Sequence, residues 1–304
     1  MTATEPSAPR RTLPQVLAAF DRAIGLEVTP RPRTASRVAE EPRDAGPPAA
    51  AARASAPRAE PSVRPAPTSL QAAAARHAPA APQAPDTPHA FDSRVLRGTD
   101  DHGERLALLQ DIAARHATEC PHCTRSTTHR SIVFGEGSPG AKVFFVGEAP
   151  GETEDVEGRP FVGQAGQKLD EMIAAMGLAR ADTYIANVLK ARPPGNRTPL
   201  AEEAARCGPY LVEQILAVRP TVLVTLGGSA LRFLLGVETG ITRVRGTWHE
   251  WKPPAGADLA PIPVMPTYHP AYILRTYTLE VRRQVWSDLK AVMERAGLPV
   301  QTGT

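Results

Sequence analysis

The chain has 304 residues, 32 of them proline, and a formal net charge of only +3. That balance is too close to neutral to single out a polyanionic partner, so the placement of charge matters more than its total. No apolar run reaches membrane-spanning length and no charged-then-apolar signal opens the chain, which gives the expectation of a cytoplasmic protein without a membrane partner.

Half of the 32 prolines fall within the first ninety residues, among Ala, Arg, Ser and Glu and with few large apolar side chains. Such a stretch cannot offset the entropy of ordering itself, so residues 1–100 are expected to form a disordered Ala/Pro/Arg-rich arm. One short helix is predicted over 13–26, where Val16, Leu17, Phe20, Ile24 and Leu26 recur at helical spacing. An arm of this kind suits tethering to a protein partner.

From 104 to 296 the pattern is that of one α/β domain, followed by a tail at 297–304. Strands are predicted at Val143 to Val146, Tyr184 to Val188, Thr221 to Leu226 and Ile262 to Met265. Helices are predicted at Gln164 to Met176, Ala201 to Val218, Ser229 to Leu235 and Leu279 to Ala296, and Pro199 suits a first-turn position of the second. Strands alternating with helices imply a mainly parallel sheet covered on both faces, a three-layer αβα sandwich.

Three motifs follow predicted strands: Gly147-Glu148-Ala149-Pro150-Gly151 with Gly158-Arg159-Pro160-Phe161-Val162-Gly163, Asn187, and Tyr268-His269-Pro270. In an open α/β sheet, segments at the carboxyl ends of strands converge on one ligand site. The first motif lacks the Gly-Lys-Ser/Thr ending of a P-loop and the three-glycine dinucleotide spacing. What it offers is a carboxylate, Glu148, beside Ala149 and glycines that let a ligand approach the backbone. Asn187 presents a donor and an acceptor on one planar group, which suits the hydrogen-bonding edge of a base. Phe161 either stacks on that base or packs in the core, and His269 is either a mouth residue or a buried, satisfied histidine. Arg192, Arg197, Arg243, Arg245 and Arg275 lie in predicted loops at the same end, within reach of phosphates or simply in a solvated basic face. The three cysteines, Cys120, Cys123 and Cys207, read as a metal site or as inert buried thiols.

Taken together, these motifs resemble the family 4 uracil-DNA glycosylases, the iron–sulfur class of their superfamily. The resemblance spans residues 110–292 and also rests on Arg192-Pro193-Pro194-Gly195-Asn196-Arg197 and His269-Pro270-Ala271-Tyr272-Ile273-Leu274-Arg275. It implies a central four-stranded parallel sheet, a monomer, and removal of uracil from single- or double-stranded DNA in base excision repair. It implies stacking by Phe161, base recognition by Asn187, an oxyanion-stabilising His269 and a water-positioning Glu148. Tyr272 and Ile273 become candidate wedges, and Arg192, Arg197 and Arg275 candidate DNA contacts. With no lysine in the pocket motifs to form a Schiff base, the enzyme would be a monofunctional hydrolase. A second reading is a protein that binds uracil-containing or abasic DNA without efficient turnover.

The resembled family holds a four-iron four-sulfur cluster on four cysteines, to which Cys120, Cys123 and Cys207 correspond. Where the remaining ligand should stand, this chain has Ala191. Three readings are open: a three-cysteine cluster with another fourth ligand, which the resemblance favours; a zinc site completed by a histidine such as His122; or no metal.

Overall fold

In the computed structural model, residues 89–126 and 128–300 are described. The helix expected over 13–26 lies outside them. Helices α1 (Ser93–Arg97) and α2 (His102–Glu119) precede strands β1 (Glu136–Gly137) and β2 (Val143–Gly147). Helices α3 (Glu152–Glu157) and α4 (Gln164–Ala175) lead to β3 (Tyr184–Asn187), and a 3₁₀ turn at Pro194–Asn196 leads to α5 (Ala201–Val218). The chain continues through β4 (Val222–Leu226), α6 (Gly228–Leu235), α7 (Ile241–Val244), β5 (His249–Trp251), β6 (Ile262–Thr267), α8 (Pro270–Arg275) and α9 (Leu279–Arg295).

The sheet has the order β1-β3-β2-β4-β6-β5. Its four central strands are parallel, as the resemblance implied, and pair in the registers Val146 with Ala186, Phe145 with Val224 and Val224 with Met265. Two short antiparallel strands, β1 against β3 and β5 against β6, close the edges. At two and three residues they are too short to show a period in sequence, and short edges discourage pairing with another chain.

Strand alternation divides the core. Phe144, Val146, Ala186, Leu223 and Val264 pack against α2, α5 and α6 through Ile112, Leu211, Ile215 and Ala230. The intervening Val143, Phe145, Ile185, Val224 and Met265 face α4 and α9 through Leu169, Met172, Val285 and Leu289. The runs Val-Phe-Phe-Val and Val-Leu-Val are continuous because both faces of a parallel sheet are covered. Each fully buried Leu or Phe side chain contributes roughly 1.5–3 kcal/mol.

Asp101 caps α2 by accepting from the Glu104 amide at 2.8 Å, and Thr278 caps α9 by accepting from Val281 at 3.2 Å. Leu200 caps α5, with its amide bound by Glu203 at 2.8 Å, so Pro199 stands just before the cap and not in the first turn. Packed structure also begins before residue 100: α1 lies within the stretch expected to be arm, with Val95 buried in the core. A five-residue helix is too short to give a readable period. Among the described residues no helix is long and apolar enough to cross a membrane.

Candidate active site and thiol cluster

The chain leaves β2 toward β3 on one side and the sheet continues to β4 on the other, so the carboxyl ends of these strands open a crevice. A cavity of about 620 Å³ occupies it, and Glu148, Phe161, Asn187, His269 and Arg275 all line it. Segments separated by more than a hundred residues in sequence therefore share one pocket. Ala149 lines the wall beside Glu148.

Asn187 ends β3 with only 1% of its surface exposed, and its Oδ1 is buried without a partner among the described residues. A buried amide oxygen left unpaired costs about 1–3 kcal/mol, which a donating ligand would recover. The alternation of β3 points this side chain at the end of β2, where residue 147 must be glycine. A Cβ there would stand 2.3 Å from Asn187 Oδ1 and 2.4 Å from the Phe161 ring.

Phe161 is buried beside His269, ring centroids 5.7 Å apart, and has φ of +50°. That conformation costs a bulky residue on the order of 1 kcal/mol and is imposed by its surroundings. Its carbonyl accepts from Arg180 Nη1 at 3.2 Å. The same carbonyl packs on α4 where a Cβ at Gly166 would lie 1.9 Å from it. Glu154 Oε1 accepts from the amides of Val162 at 2.9 Å and Gly163 at 2.8 Å, and its Oε2 from Gly151 at 3.1 Å. Glu154 thus ties the two glycine turns of the pocket wall together, while Asp155 holds the amides of Arg130 and Ser131 at 2.8 and 3.2 Å. Glu154→Ala removes three charge-assisted bonds from half-buried amides. It is expected to cost about 3 kcal/mol in urea denaturation while Glu154→Gln recovers part of the loss.

His269 caps α8, with Nδ1 accepting from the Ala271 amide at 3.1 Å. Burial, with the nearby Arg275 cation second, pushes its pKa down from 6.5 to about 4. A neutral imidazole whose Nδ1 accepts carries its proton on Nε2, leaving one donor for a ligand. Tyr272 lines the cavity with its ring 4.7 Å from that of Tyr268.

Ile273 does not reach the mouth: it is 3% exposed and packs in the core, so it cannot serve as a wedge. One turn of α8 directs it inward and leaves Leu274 exposed. The arginines also separate. Arg197 and Arg275 line the cavity, and Arg197 is held by Glu203 Oε1 at 2.7 Å. Arg192 donates to Asn196 Oδ1 at 2.6 Å beside Pro193, which lines the cavity. Arg243 is exposed, whereas Arg245 turns inward to Asp288 Oδ2 at 3.0 Å and is not a surface contact.

The thiols form a second centre. Cys120, Cys123 and Cys207 are buried together with His116, and the four ligand atoms all lie within 4.8 Å of one another. This is a donor set for a metal ion or cluster. Ala191 is buried in the same apolar cluster. His122, the histidine suggested by the Cys-x-x-Cys segment, turns away from it, with Nδ1 4.0 Å from Glu203 Oε1. Its ring is largely covered but lies outside the group of four donors. His116 enters because it lies one helical turn before Cys120 on α2, a relation no motif displays.

Lys190 joins the two centres. It is fully buried, donates from Nζ to the Asn187 carbonyl at 2.8 Å, and from its backbone amide to Cys207 Sγ at 3.3 Å. Burial pushes its pKa down to about 8, opposed by the three thiols. The sequence reading missed both His116 and Lys190, since neither sits in a pocket motif.

The family model described as the uracil DNA glycosylase superfamily matches residues 134–290. A type-4 uracil-DNA glycosylase of Thermotoga maritima is 43% identical over 183 residues, covering 60% of this chain and 92% of the relative. One from Archaeoglobus fulgidus is 43% identical over 199 residues, covering 63% and 95%. A type-5 uracil-DNA glycosylase of Pyrobaculum aerophilum is more distant, at 31% over 192 residues, covering 53% and 82%.

Proposed function

The chain belongs to the uracil DNA glycosylase superfamily, among its type-4 members, and from this we propose how its own residues act. The protein is a DNA-repair hydrolase that cleaves the N-glycosidic bond of uracil in DNA and leaves an abasic site. The observation that carries the roles is the pairing, in one cavity, of an unpartnered Asn187 Oδ1 with a neutral His269 whose Nδ1 is already engaged.

A base inside a duplex exposes no glycosidic bond, so the nucleotide must leave the stack, at a cost of a few kcal/mol that is lowest at a mismatch. In the cavity Phe161 stacks on the uracil ring. Asn187 Oδ1 accepts from the uracil N3–H, and its amide nitrogen donates to O4. Cytosine has an acceptor at N3 and a donor at C4, so it leaves the Asn187 amide mismatched against a fixed pocket wall.

Breaking the bond leaves the electron pair on uracil and positive charge on the sugar. His269 Nε2–H donates to the uracil O2 as negative charge develops there, stronger in the transition state than in the ground state. Glu148 orients the attacking water and stabilises the cationic sugar; the water oxygen then bonds to C1′, its proton passes to the Glu148 carboxylate, and the uracil anion departs to be protonated by solvent. Phosphates flanking the extruded nucleotide fall to Arg192, Arg197 and Arg275. Tyr272, with exposed Leu274 in place of buried Ile273, supplies apolar surface to fill the vacated stack.

The thiol centre offers three thiols and one imidazole to a metal ion or cluster, and its donor atoms stand closer together than the four-iron four-sulfur cluster implied by the resemblance would hold them. Such a cage bonds each outer ligand to a different iron and fills the space between them. The sulfurs of Cys123 and Cys207 are 3.7 Å apart, in van der Waals contact. No step above depends on that centre.

The test is incubation of the full chain with single- and double-stranded DNA carrying one uracil, followed by alkali. Strand cleavage at uracil alone is expected. A stable shifted complex without alkali-labile product would overturn the hydrolase reading in favour of a binding protein.

A further inference from the structure

His116, Cys120, Cys123 and Cys207 come from the last turn of α2, the turn after it, and the middle of α5. The spacing of their donor atoms is specific. Cys123 and Cys207 Sγ are 3.7 Å apart, and His116 Nε2 is 3.5 Å from Cys207 Sγ. A tetrahedral ion with Zn–S bonds of about 2.3 Å and a Zn–N bond of about 2.0–2.1 Å requires separations of about 3.8 Å and 3.5 Å. These two match a single ion, and no separation among the four donor atoms exceeds 4.8 Å.

The imidazole gives a second, independent indication. His116 is completely buried, its Nε2 meets sulfur, and its Nδ1 has no partner among the described residues. Its ring stands edge-on to Tyr210, with centroids 4.8 Å apart at 89°, which fixes the direction of Nε2. Nε2, buried with only sulfur for a partner, is the nitrogen an ion would engage, and Nδ1 then carries the ring proton. The Lys190 amide hydrogen bond to Cys207 Sγ is the kind of outer contact that orients a thiolate ligand.

We propose that these four residues form a closed Cys₃His site for one tetrahedral zinc ion, with His116 supplying the ligand that Ala191 does not. The change is of ligand and of metal together: a donor from the neighbouring helix completes a compact site suited to one ion. With no open position the ion is structural. It locks α2 to α5 and, through Lys190, holds the segment that leaves Asn187.

The full chain, purified anaerobically, is expected to carry one zinc per chain, without acid-labile sulfide or brown colour. Cobalt exchange should give the intense visible bands of a tetrahedral thiolate site. His116→Ala should weaken zinc retention at least 10- to 100-fold in competition with a chromophoric chelator. His116→Cys should retain the ion, and circular dichroism of both variants separates metal loss from misfolding. Four irons and four sulfides per chain would overturn the proposal, as would a metal-free chain or unchanged zinc affinity in folded His116→Ala.

Discussion

Replacing His269 by Ala is expected to slow single-turnover excision of uracil by about 100- to 1,000-fold, the usual effect of losing one donor to a developing oxyanion. Substrate binding should change far less, because the Nε2–H bond strengthens only as charge reaches the uracil O2. The pH dependence follows from the sign of the shift. The His269 pKa is lowered from 6.5 to about 4, so the imidazole stays neutral well below the ordinary range. The His269 contribution should therefore be level from pH 8 to about 5 and fall as pH drops through about 4. Stability behaves in the same sense. Between pH 6.5 and about 4 the unfolded chain binds the extra proton, so stability present above 6.5 is lost as pH falls across that window. His269→Ala should flatten that part of a urea-denaturation series. A wild-type rate limb centred near pH 6.5, absent from His269→Ala, would contradict the neutral-donor role.

Asn187→Ala is expected to lower excision about 100-fold, through loss of two hydrogen bonds to the base at roughly 1–3 kcal/mol each. Truncation also removes the unpartnered Oδ1, so the folded enzyme should be no less stable than wild type by more than the lost packing. The informative comparison is between uracil and cytosine in the same sequence. Asn187→Ala should lose uracil excision without gaining cytosine excision, since it removes recognition and does not invert it. Near-wild-type excision by folded Asn187→Ala would remove the residue from base recognition.

The four central strands and the helices α4, α5, α6 and α9 were legible in sequence to within two residues at each end. Apolar runs and helical periods are local consequences of burial, so they survive without any knowledge of partners. The pocket motifs were legible for a related reason, since each lies at the end of a strand. What failed was short or depended on side-chain direction. Strands β1 and β5 and helix α1 are too brief to show a period, and Ile273 looked like a mouth residue until the turn of α8 placed it inward.

The anchoring of the pocket wall was hidden for a different reason. Glu154 sits in the acidic run Glu152-Thr153-Glu154-Asp155, where nothing local says which carboxylate turns inward, yet it binds three backbone amides from two glycine turns. Only the meeting of those turns gives the carboxylate its partners. Arg245 shows the converse, a basic residue in an exposed-looking loop that turns inward to Asp288.

By itself the sequence determined the layered α/β fold and the strand-end placement of Glu148, Asn187 and His269, while only the family resemblance marked Ala191 as standing where a cysteine ligand is expected. Those properties depend on local pattern and on the topology of a parallel sheet. Tertiary structure alone decided that His269 Nδ1 is engaged by the Ala271 amide, that Asn187 Oδ1 is buried without a partner among the described residues, and that His116 joins the thiols. Protonation, unpaired hydrogen-bonding groups and metal ligation depend on distances between segments far apart in the chain, and only packing sets those distances.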